Sequence, residues 1–241
     1  MIRIVPLLIL FLILGCSTDQ LDGEGTLDAF TADIEIVLDN VIACAASNEN
    51  DGLVSVFLYP REGATNIQYY ETETTDVAKD NFKNYIPRQL ALKDVFNGYL
   101  KKFEASGANE KWVIVSFDED GKRHLSNPIR LKQNSKPTEY LPQNIRVDSS
   151  TTMPNFTWED GSYNDTKIYF QVVSDMDDNL LSGTYTSTKN FQYYELGNVV
   201  LNISKTNPLA LQSGSTYGFS LLAVSEDNWV NQFSTVSFTI E

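Results

Sequence analysis

LQSGSTYGFSLLAV, residues 211–224, is the stretch that decides the fold of this chain. After the turn residues, every second position is apolar or aromatic, namely Tyr217, Phe219, Leu221 and Ala223. Successive side chains of a β-strand point to opposite faces, so these four side chains share one face. The alternation predicts a long strand whose apolar face is turned towards a core.

Short apolar runs between turn residues fill most of the chain from Asp28 onward. In the first half we predict strands at residues 34–37, 41–46, 54–60, 66–71, 99–103, 112–117 and 126–131. In the second half we predict strands at residues 144–147, 155–158, 167–173, 183–186, 199–203, 217–224 and 235–240. Residues 76–92 are irregular and fit a short helical turn.

Two runs of about seven strands, each about 100 residues long, predict an all-β chain of two tandem antiparallel β-sandwiches. We place the first sandwich at residues 28–132, a polar linker at residues 133–140, and the second sandwich at residues 141–241.

The second half resembles a fibronectin type III domain. Trp158, the last residue of the segment FTW, stands where that family places its core tryptophan. Leu211, the turn at Gly214 and then Tyr217 are similar to the leucine–turn–tyrosine stretch of the family. The resemblance implies that the Tyr217 hydroxyl bonds back to the upstream chain, in the arrangement called a tyrosine corner.

The first half resembles the same family less completely. Residues 54–71 contain a strand, a Pro-x-x-Gly turn and a tyrosine-bearing strand in the order that the family has. Leu58 stands in the place of the core tryptophan, and Trp112 in the place of the corner tyrosine. An immunoglobulin-like relative is the alternative for this half. Because such sandwiches host many functions, the resemblance implies a fold and not an activity.

The extreme N-terminus is typical of an export signal. Arg3 precedes an apolar run over residues 4–14, and Gly15 precedes Cys16. The run of ~11 residues is shorter than the ~20 that a membrane-spanning helix needs. Gly15-Cys16 at this place resembles the lipobox of bacterial lipoproteins. The resemblance implies a signal peptide over residues 1–15 and an acyl chain, such as palmitate, on Cys16. The alternative is an ordinary secretory signal in which Cys16 is incidental.

Residues 16–27 predict a flexible acidic tether between the lipid and the first sandwich. The spread acidic residues resemble the export tag of surface lipoproteins of the Bacteroidota. Serine follows Cys16, so the aspartate of the inner-membrane retention signal is absent. The resemblance implies a lipid-anchored protein of the outer membrane that faces the cell surface, with the periplasmic face as the alternative.

The chain of 241 residues carries 18 basic and 32 acidic residues, a formal net charge of −14. So acidic a chain is not expected to bind nucleic-acid phosphates or to adhere by charge to an anionic bilayer. Contact with the membrane is therefore expected to come from lipid on Cys16. Cys44, the only other cysteine, lies in an apolar run, which predicts a buried free thiol and no intrachain disulfide.

Motifs for catalysis or for a cofactor are missing from the sequence. His124 is the only histidine, and we predict an exposed turn residue rather than a member of a catalytic triad. Zinc ligands and a Gly-rich phosphate loop are also missing. We predict no enzyme activity, no cofactor and no metal site. A carboxylate pair for glycoside hydrolysis is the enzymatic alternative.

The segment DMDDN at residues 175–179 begins like a calcium loop. Leu180 and Thr186 occupy the positions where such a loop requires glycine and glutamate. We therefore predict an acidic hairpin tip, with a weak surface calcium site as the alternative.

Aromatic residues are the best candidates for binding. Trp229 follows the strand of residues 217–224, and a loop tryptophan can stack on a sugar or anchor in a pocket of a partner. The alternative is that Trp229 folds back over the sandwich edge. Tyr69 and Tyr70 are adjacent, so one of them must point out of the sandwich, where it binds a ligand or covers the domain junction.

The predicted function is that of a non-catalytic, lipid-anchored envelope protein. We expect an accessory or interaction subunit of an outer-membrane assembly for transport or secretion, because the chain combines an anchor with a modular fold and no catalytic motif. The alternative is a surface glycan-binding lipoprotein, for which Trp229, Tyr69 and Tyr70 are the motivation.

Overall fold

The computed structural model describes residues 25–241 and shows an all-β fold of two sandwiches, as the sequence predicts. Four sheets lie face to face in the order I, II, III and IV, and an apolar core fills each space between neighbouring sheets. The predicted signal peptide at residues 1–15 and Cys16 lie outside the described residues. Within residues 25–241, no helix combines the length and the apolarity that crossing a bilayer requires.

Sheets I and II form the first sandwich. Its elements are α1 (Leu27–Thr31), β1 (Ile36–Val37), β2 (Ala43–Ser47), β3 (Leu53–Leu58), β4 (Thr65–Glu71), β5 (Ile86–Pro87), β6 (Leu92–Val95), β7 (Leu100–Ser106), β8 (Trp112–Glu119), β9 (Lys122–Leu125) and β10 (Ile129–Arg130). Sheet I has the order β1-β9-β8-β4-β5, with β10 paired to β8, and sheet II has the order β2-β3-β7-β6. A 3-10 turn at Phe82–Asn84 confirms the helical turn predicted within residues 76–92.

Sheets III and IV form the second sandwich. Its elements are β11 (Glu139–Tyr140), a 3-10 turn at Pro142–Asn144, β12 (Ile145–Asp148), β13 (Asn155–Trp158), β14 (Thr166–Ser174), β15 (Leu180–Thr186), β16 (Asn190–Gln192), β17 (Val199–Asn202), β18 (Thr216–Ser225) and β19 (Val230–Thr239). Sheet III has the order β11-β19-β18-β14-β15-β17, and sheet IV has the order β12-β13-β16. In the whole described part of the chain, only the pairs β1–β9 and β11–β19 are parallel.

The hairpin between β8 and β9 shows how local sequence sets the strand register. Asp120 and Gly121 have φ angles of 51° and 74°, the positive values of a two-residue type I′ turn. This turn matches the right-handed twist of the strands that it joins. The Asp-Gly pair that predicts a turn in the sequence therefore also pairs Glu119 with Lys122.

The cores inside the two sandwiches contain the alternating residues of the predicted strands. Val56 and Tyr69 lie in the first core, between sheets I and II. Phe156 and Phe219 lie in the second core, between sheets III and IV, and their rings stack with centroids 4.0 Å apart. The four predicted inward residues of β18 are all in this second core, so that prediction is confirmed.

A third core joins the sandwiches to each other. Ala46 and Leu100 of sheet II pack in one cluster with Phe170 and Leu222 of sheet III. Leu222 comes from the face of β18 opposite to Phe219. Sheet III is therefore buried on both faces. The two sandwiches pack against each other in one stack of sheets and are not independent domains joined only by a linker.

The residues that carry the fibronectin type III resemblance have the expected places in the second sandwich. The Tyr217 hydroxyl accepts a hydrogen bond from the Gln212 N–H at 3.0 Å, which is the predicted tyrosine corner. Trp158 and Leu211 are buried in the second core. In the first sandwich Leu58 is buried in the core, as expected for the place of the tryptophan.

Trp112 corrects the sequence interpretation of the first sandwich. It lies on the outer face of sheet I, and its indole N–H donates to the Thr75 carbonyl at 3.2 Å. Trp112 alternates along β8 with Val113, which faces the core. Because of this register, Trp112 does not fill the inward place of a corner tyrosine.

The ends of the predicted tether and linker are more ordered than expected. Leu27, the last tether residue, is fully buried on the outer face of sheet I, and its N–H donates to the Tyr85 carbonyl at 2.9 Å. In the predicted linker, the Thr138 hydroxyl donates to the Val230 carbonyl at 2.8 Å and accepts from the Ser47 N–H at 3.0 Å. Apolar burial and backbone pairing thus fix both segments against the sandwiches.

Candidate functional site

Trp229 is fully buried, so the prediction that it is exposed for binding is wrong. Its ring belongs to the core of the first sandwich although its backbone lies between β18 and β19 of the second. The indole N–H donates to the Lys136 carbonyl at 2.7 Å, and the Ala45 N–H donates to the Asn228 carbonyl at 3.0 Å. A loop of the second sandwich therefore fills a gap in the first.

Tyr69 and Tyr70 are also buried, and neither is available to a ligand. Tyr69 lies in the first core and donates its hydroxyl to Glu71 Oε2 at 3.1 Å. Burial, with the Glu71 charge as a smaller cause, raises the pKa of Tyr69 well above its usual value. Tyr70 points out of the sandwich, as one of the two must, but Leu27 and Tyr85 cover it.

His124 is buried in β9, and the prediction of an exposed turn residue is wrong. Its ring stacks on Phe117 with centroids 5.4 Å apart. Its Nδ1 lies 2.8 Å from Asn40 Oδ1 and 3.0 Å from an Arg61 nitrogen. These neighbours hold the ring in place, and none of them is a nucleophile.

The acidic segment 175–179 is the tip of the hairpin between β14 and β15, as predicted. Asp175 Oδ1 accepts hydrogen bonds from the N–H groups of Asp177 at 3.0 Å and Asn179 at 2.9 Å. The Asp175 oxygen thus closes the turn itself. Within residues 25–241, no three or more histidine, cysteine or carboxylate side chains are grouped to hold a metal ion.

A cleft at the junction of the sandwiches is the first candidate site. Its inner compartment, of about 60 Å³, lies in the third core and is lined by Cys44, Phe57, Phe170, Tyr185 and Leu222 among other residues. An outer compartment of about 380 Å³ shares Cys44 and Tyr185 with it. Burial raises the pKa of the Cys44 thiol to about 12, which agrees with the prediction of an inert free thiol.

The cleft ends in a polar mouth of about 840 Å³ at the surface. The mouth shares Asp39, Asn127 and Asn228 with the outer compartment. Lys132 and Asp227 form an ion pair in its wall. Within the described part of the chain, no aromatic side chain lines the mouth.

Strand β17 is the second candidate site, because it is the edge strand of sheet III. It pairs with β15 on one side, and no strand of residues 25–241 pairs with its other side. The Ile203 N–H donates to the Gly183 carbonyl at 2.9 Å, towards β15. Backbone groups alternate in direction along a regular strand, so those of Asn202 point away from β15, and a register shift leaves Val200 without a partner residue in β15.

Five exposed apolar or aromatic residues surround this edge, and we call them the edge patch: Tyr194, Leu196, Val200, Leu201 and Leu209. Val200 is 62% exposed and Leu209 is 80% exposed. Two hydrogen bonds bring the segments together, from the Val199 N–H to the Leu196 carbonyl and from the Tyr193 hydroxyl to the Leu209 carbonyl. The patch is not predicted from the sequence, although the uncharged run Val199–Asn202 before a loop was a signal of it.

No protein-family model matches the chain, and no curated protein matches it. Solved structures that are similar to it in part include the following three. The BSP domain of a biofilm-associated protein is 14% identical with a TM-score of 0.28, over 83% of this chain and 29% of that one. The glycoside hydrolase domain of Endo-D from Streptococcus pneumoniae R6 is 13% identical with a TM-score of 0.34, over 83% of this chain and 36% of that one.

The third structure, the FN1–FN3 domains of chicken CNTN1, is 11% identical with a TM-score of 0.27, over 86% of this chain and 68% of that one. This chain spans about a third of the length of the first two structures. With TM-scores this low, the fold assignment rests on the strand pairing of the chain itself.

Proposed function

We propose that this chain is a non-catalytic, lipid-anchored envelope protein that acts as an interaction subunit of an outer-membrane assembly, and that β17 is where its partner docks. The partner is an envelope protein, of a transport or secretion system, that contributes an extended apolar segment. The segment adds to sheet III beside β17 as a further strand.

The exposed edge of β17 is the observation that carries this proposal. Natural proteins protect sheet edges with charged residues, proline or bulges, because an open edge pairs with other chains. Strand β17 reads VVLN and carries no charged residue or proline, and its one irregularity is a register shift that leaves Val200 unpaired with β15. Val200 and Leu201 are both exposed there. Main-chain hydrogen bonds give affinity in strand addition, and the apolar side chains give specificity.

The place of the N-terminus supports an anchored arrangement. Nine residue steps separate Cys16 from Gly25, where the described chain begins, and they span at most about 32 Å. Leu27 lies on the outer face of sheet I, whereas β17 belongs to sheet III, about 20 Å further along the stack. A lipid on Cys16 would thus hold the first sandwich near the membrane and leave β17 free for a partner.

The experiment is affinity purification of the native chain from detergent-solubilised membranes, followed by mass spectrometry. We expect a stoichiometric envelope protein that is lost in Val200→Asp, because a buried charge at the strand interface costs several kcal/mol. Leu38→Asp is the matched control, since Leu38 is 55% exposed in the first sandwich, away from β17. Recovery of the same partner with both variants, or of none with the unaltered chain, would contradict the proposal.

The buried positions of Trp229, Tyr69 and Tyr70 do not favour the glycan alternative. That alternative becomes an outcome of the same experiment. A chain that is purified alone but is retained on a polysaccharide column would replace the interaction-subunit proposal with glycan binding.

A further inference from the structure

We propose that the cleft between the sandwiches binds a slender, uncharged acyl chain, whose carbonyl oxygen accepts hydrogen bonds from the Ala43 N–H and the Tyr185 hydroxyl. This inference concerns a small ligand and stands apart from the protein partner proposed for β17.

The size of the inner compartment limits the shape of the ligand. A dry apolar cavity that binds benzene has about 150 Å³, whereas the inner compartment has about 60 Å³. It is therefore too small for an aromatic ring but accepts the end of a linear alkyl chain. The stacked rings of Phe170 and Tyr185, with centroids 4.4 Å apart, form one of its walls.

The Ala43 N–H is a donor in the cleft that has no partner among residues 25–241. In β2 the Ala45 N–H donates to Asn228 and the Ser47 N–H to Thr138, both on the side away from β3. The N–H of Ala43 points to that same side because backbone groups alternate along a strand. No described residue accepts from it, and Ala43 lines both compartments.

The Tyr185 hydroxyl is the second such donor. Tyr185 also lines both compartments, and its hydroxyl makes no hydrogen bond with any residue in 25–241. The Ala43 N–H and the Tyr185 hydroxyl are thus both free to donate beside one apolar compartment. A ligand with an apolar chain and a single acceptor atom fits this arrangement.

The lining of the inner compartment does not suit an ionised ligand group. Among residues 25–241, no Asp, Glu, Lys or Arg side chain lines the inner compartment. Cys44 and Tyr185 are neutral at neutral pH, because burial raises the pKa of Cys44 to about 12 and that of Tyr185 well above its usual value. An ester or amide carbonyl fits this wall, whereas a carboxylate does not. The ligand enters from the polar mouth through the outer compartment.

The test is titration of the purified chain with methyl cis-parinarate, a fluorescent acyl ester. We expect saturable binding that weakens about three- to tenfold in Tyr185→Phe, which removes one hydrogen bond and keeps the ring. Cys44→Leu should remove binding by filling the space between the compartments. Tyr163→Phe is the matched control, because the Tyr163 hydroxyl bonds to the Pro137 carbonyl outside the cleft.

Displacement by methyl decanoate and by diheptanoyl phosphatidylcholine distinguishes a free acyl ester from the chain of a phospholipid. Circular dichroism and thermal unfolding establish that each variant folds. Absence of saturable binding, or equal binding to the unaltered chain and to folded Tyr185→Phe and Cys44→Leu, would overturn the inference. Loss of partner capture by Val200→Asp with unchanged probe binding would separate this site from the one proposed at β17.

Discussion

Trp229 of the second sandwich forms a parallel β-bridge with Ala45 of the first, and its ring lies in the core of the first sandwich. The two sandwiches thus share a core residue as well as an apolar interface. Stability of the first sandwich should depend on a loop of the second, and the pair should unfold as one unit.

Replacement of Trp229 tests this shared core. Trp229→Ala should lower the free energy of unfolding by about 3–5 kcal/mol, because it leaves a large cavity and removes the indole hydrogen bond to Lys136. Urea unfolding followed by tyrosine fluorescence and circular dichroism should show a single transition, shifted to lower urea. Two separate transitions in the unaltered chain would refute the shared core.

The tyrosine corner makes a smaller contribution to the free energy of unfolding than Trp229 does. Tyr217→Phe should lower the free energy of unfolding by about 1 kcal/mol, since it removes the acceptor of the Gln212 N–H and keeps the ring. Tyr194→Phe is the comparison, because Tyr194 is exposed. Equal stability of the two variants in urea titrations would show that the corner contributes nothing.

Asp118 should make stability depend on pH on the acid side. A hydrogen bond from Arg123, partly offset by burial, holds the pKa of Asp118 below its usual value. The folded pKa is lower than the unfolded one, so this contribution is complete above the unfolded value of about 4 and is lost as pH falls through the folded value. Arg123 also donates to the Phe30 carbonyl at 2.6 Å, which ties α1 to the sheet.

The measurement is urea unfolding of Asp118→Asn and the unaltered chain between pH 7 and pH 2. The stability difference between them should be largest at neutral pH and should shrink as Asp118 becomes protonated. Asp33→Asn, at an exposed position, serves as the control. A difference that stays constant with pH would show that the ion pair does not titrate with folding.

Attachment to the membrane should depend on Cys16. In cells that process lipoproteins, Cys16→Ser should move the chain from the membrane fraction to the soluble fraction and abolish incorporation of labelled palmitate. Cys44→Ser should leave both unchanged, because Cys44 is packed in the third core. Retention of label in Cys16→Ser would contradict lipidation at this residue.

Local patterns predicted what lies within each sandwich but not how the sandwiches meet. The alternation at Tyr217, Phe219 and Leu221 predicts one buried face, and the structure confirms it. Leu222 and Val224 on the opposite face already indicate a second buried face, and they lie in the third core. The contact of Trp229 with Ala45 joins residues far apart in sequence, and nothing near either residue indicates it.

The candidate sites likewise depend on contacts between residues that are far apart in sequence, which local patterns do not predict. Exposure cannot be read from residue type: Trp229, Tyr69 and Tyr70 are binding candidates in the sequence, and all three are buried in the structure. The edge of β17 needed sheet order to be recognised, because an edge strand and a central strand can have the same apolar sequence. The cleft required both sandwiches together, since Ala43 and Tyr185 come from different halves of the chain.

The most direct test of the central claim is photocrosslinking in native membranes from a photoreactive residue placed at Val200, with the same residue at Leu38 as the comparison. We expect a discrete crosslink from position 200 to one envelope protein and none from position 38. No crosslink at position 200, or the same pattern at both positions, would contradict a partner that docks on β17.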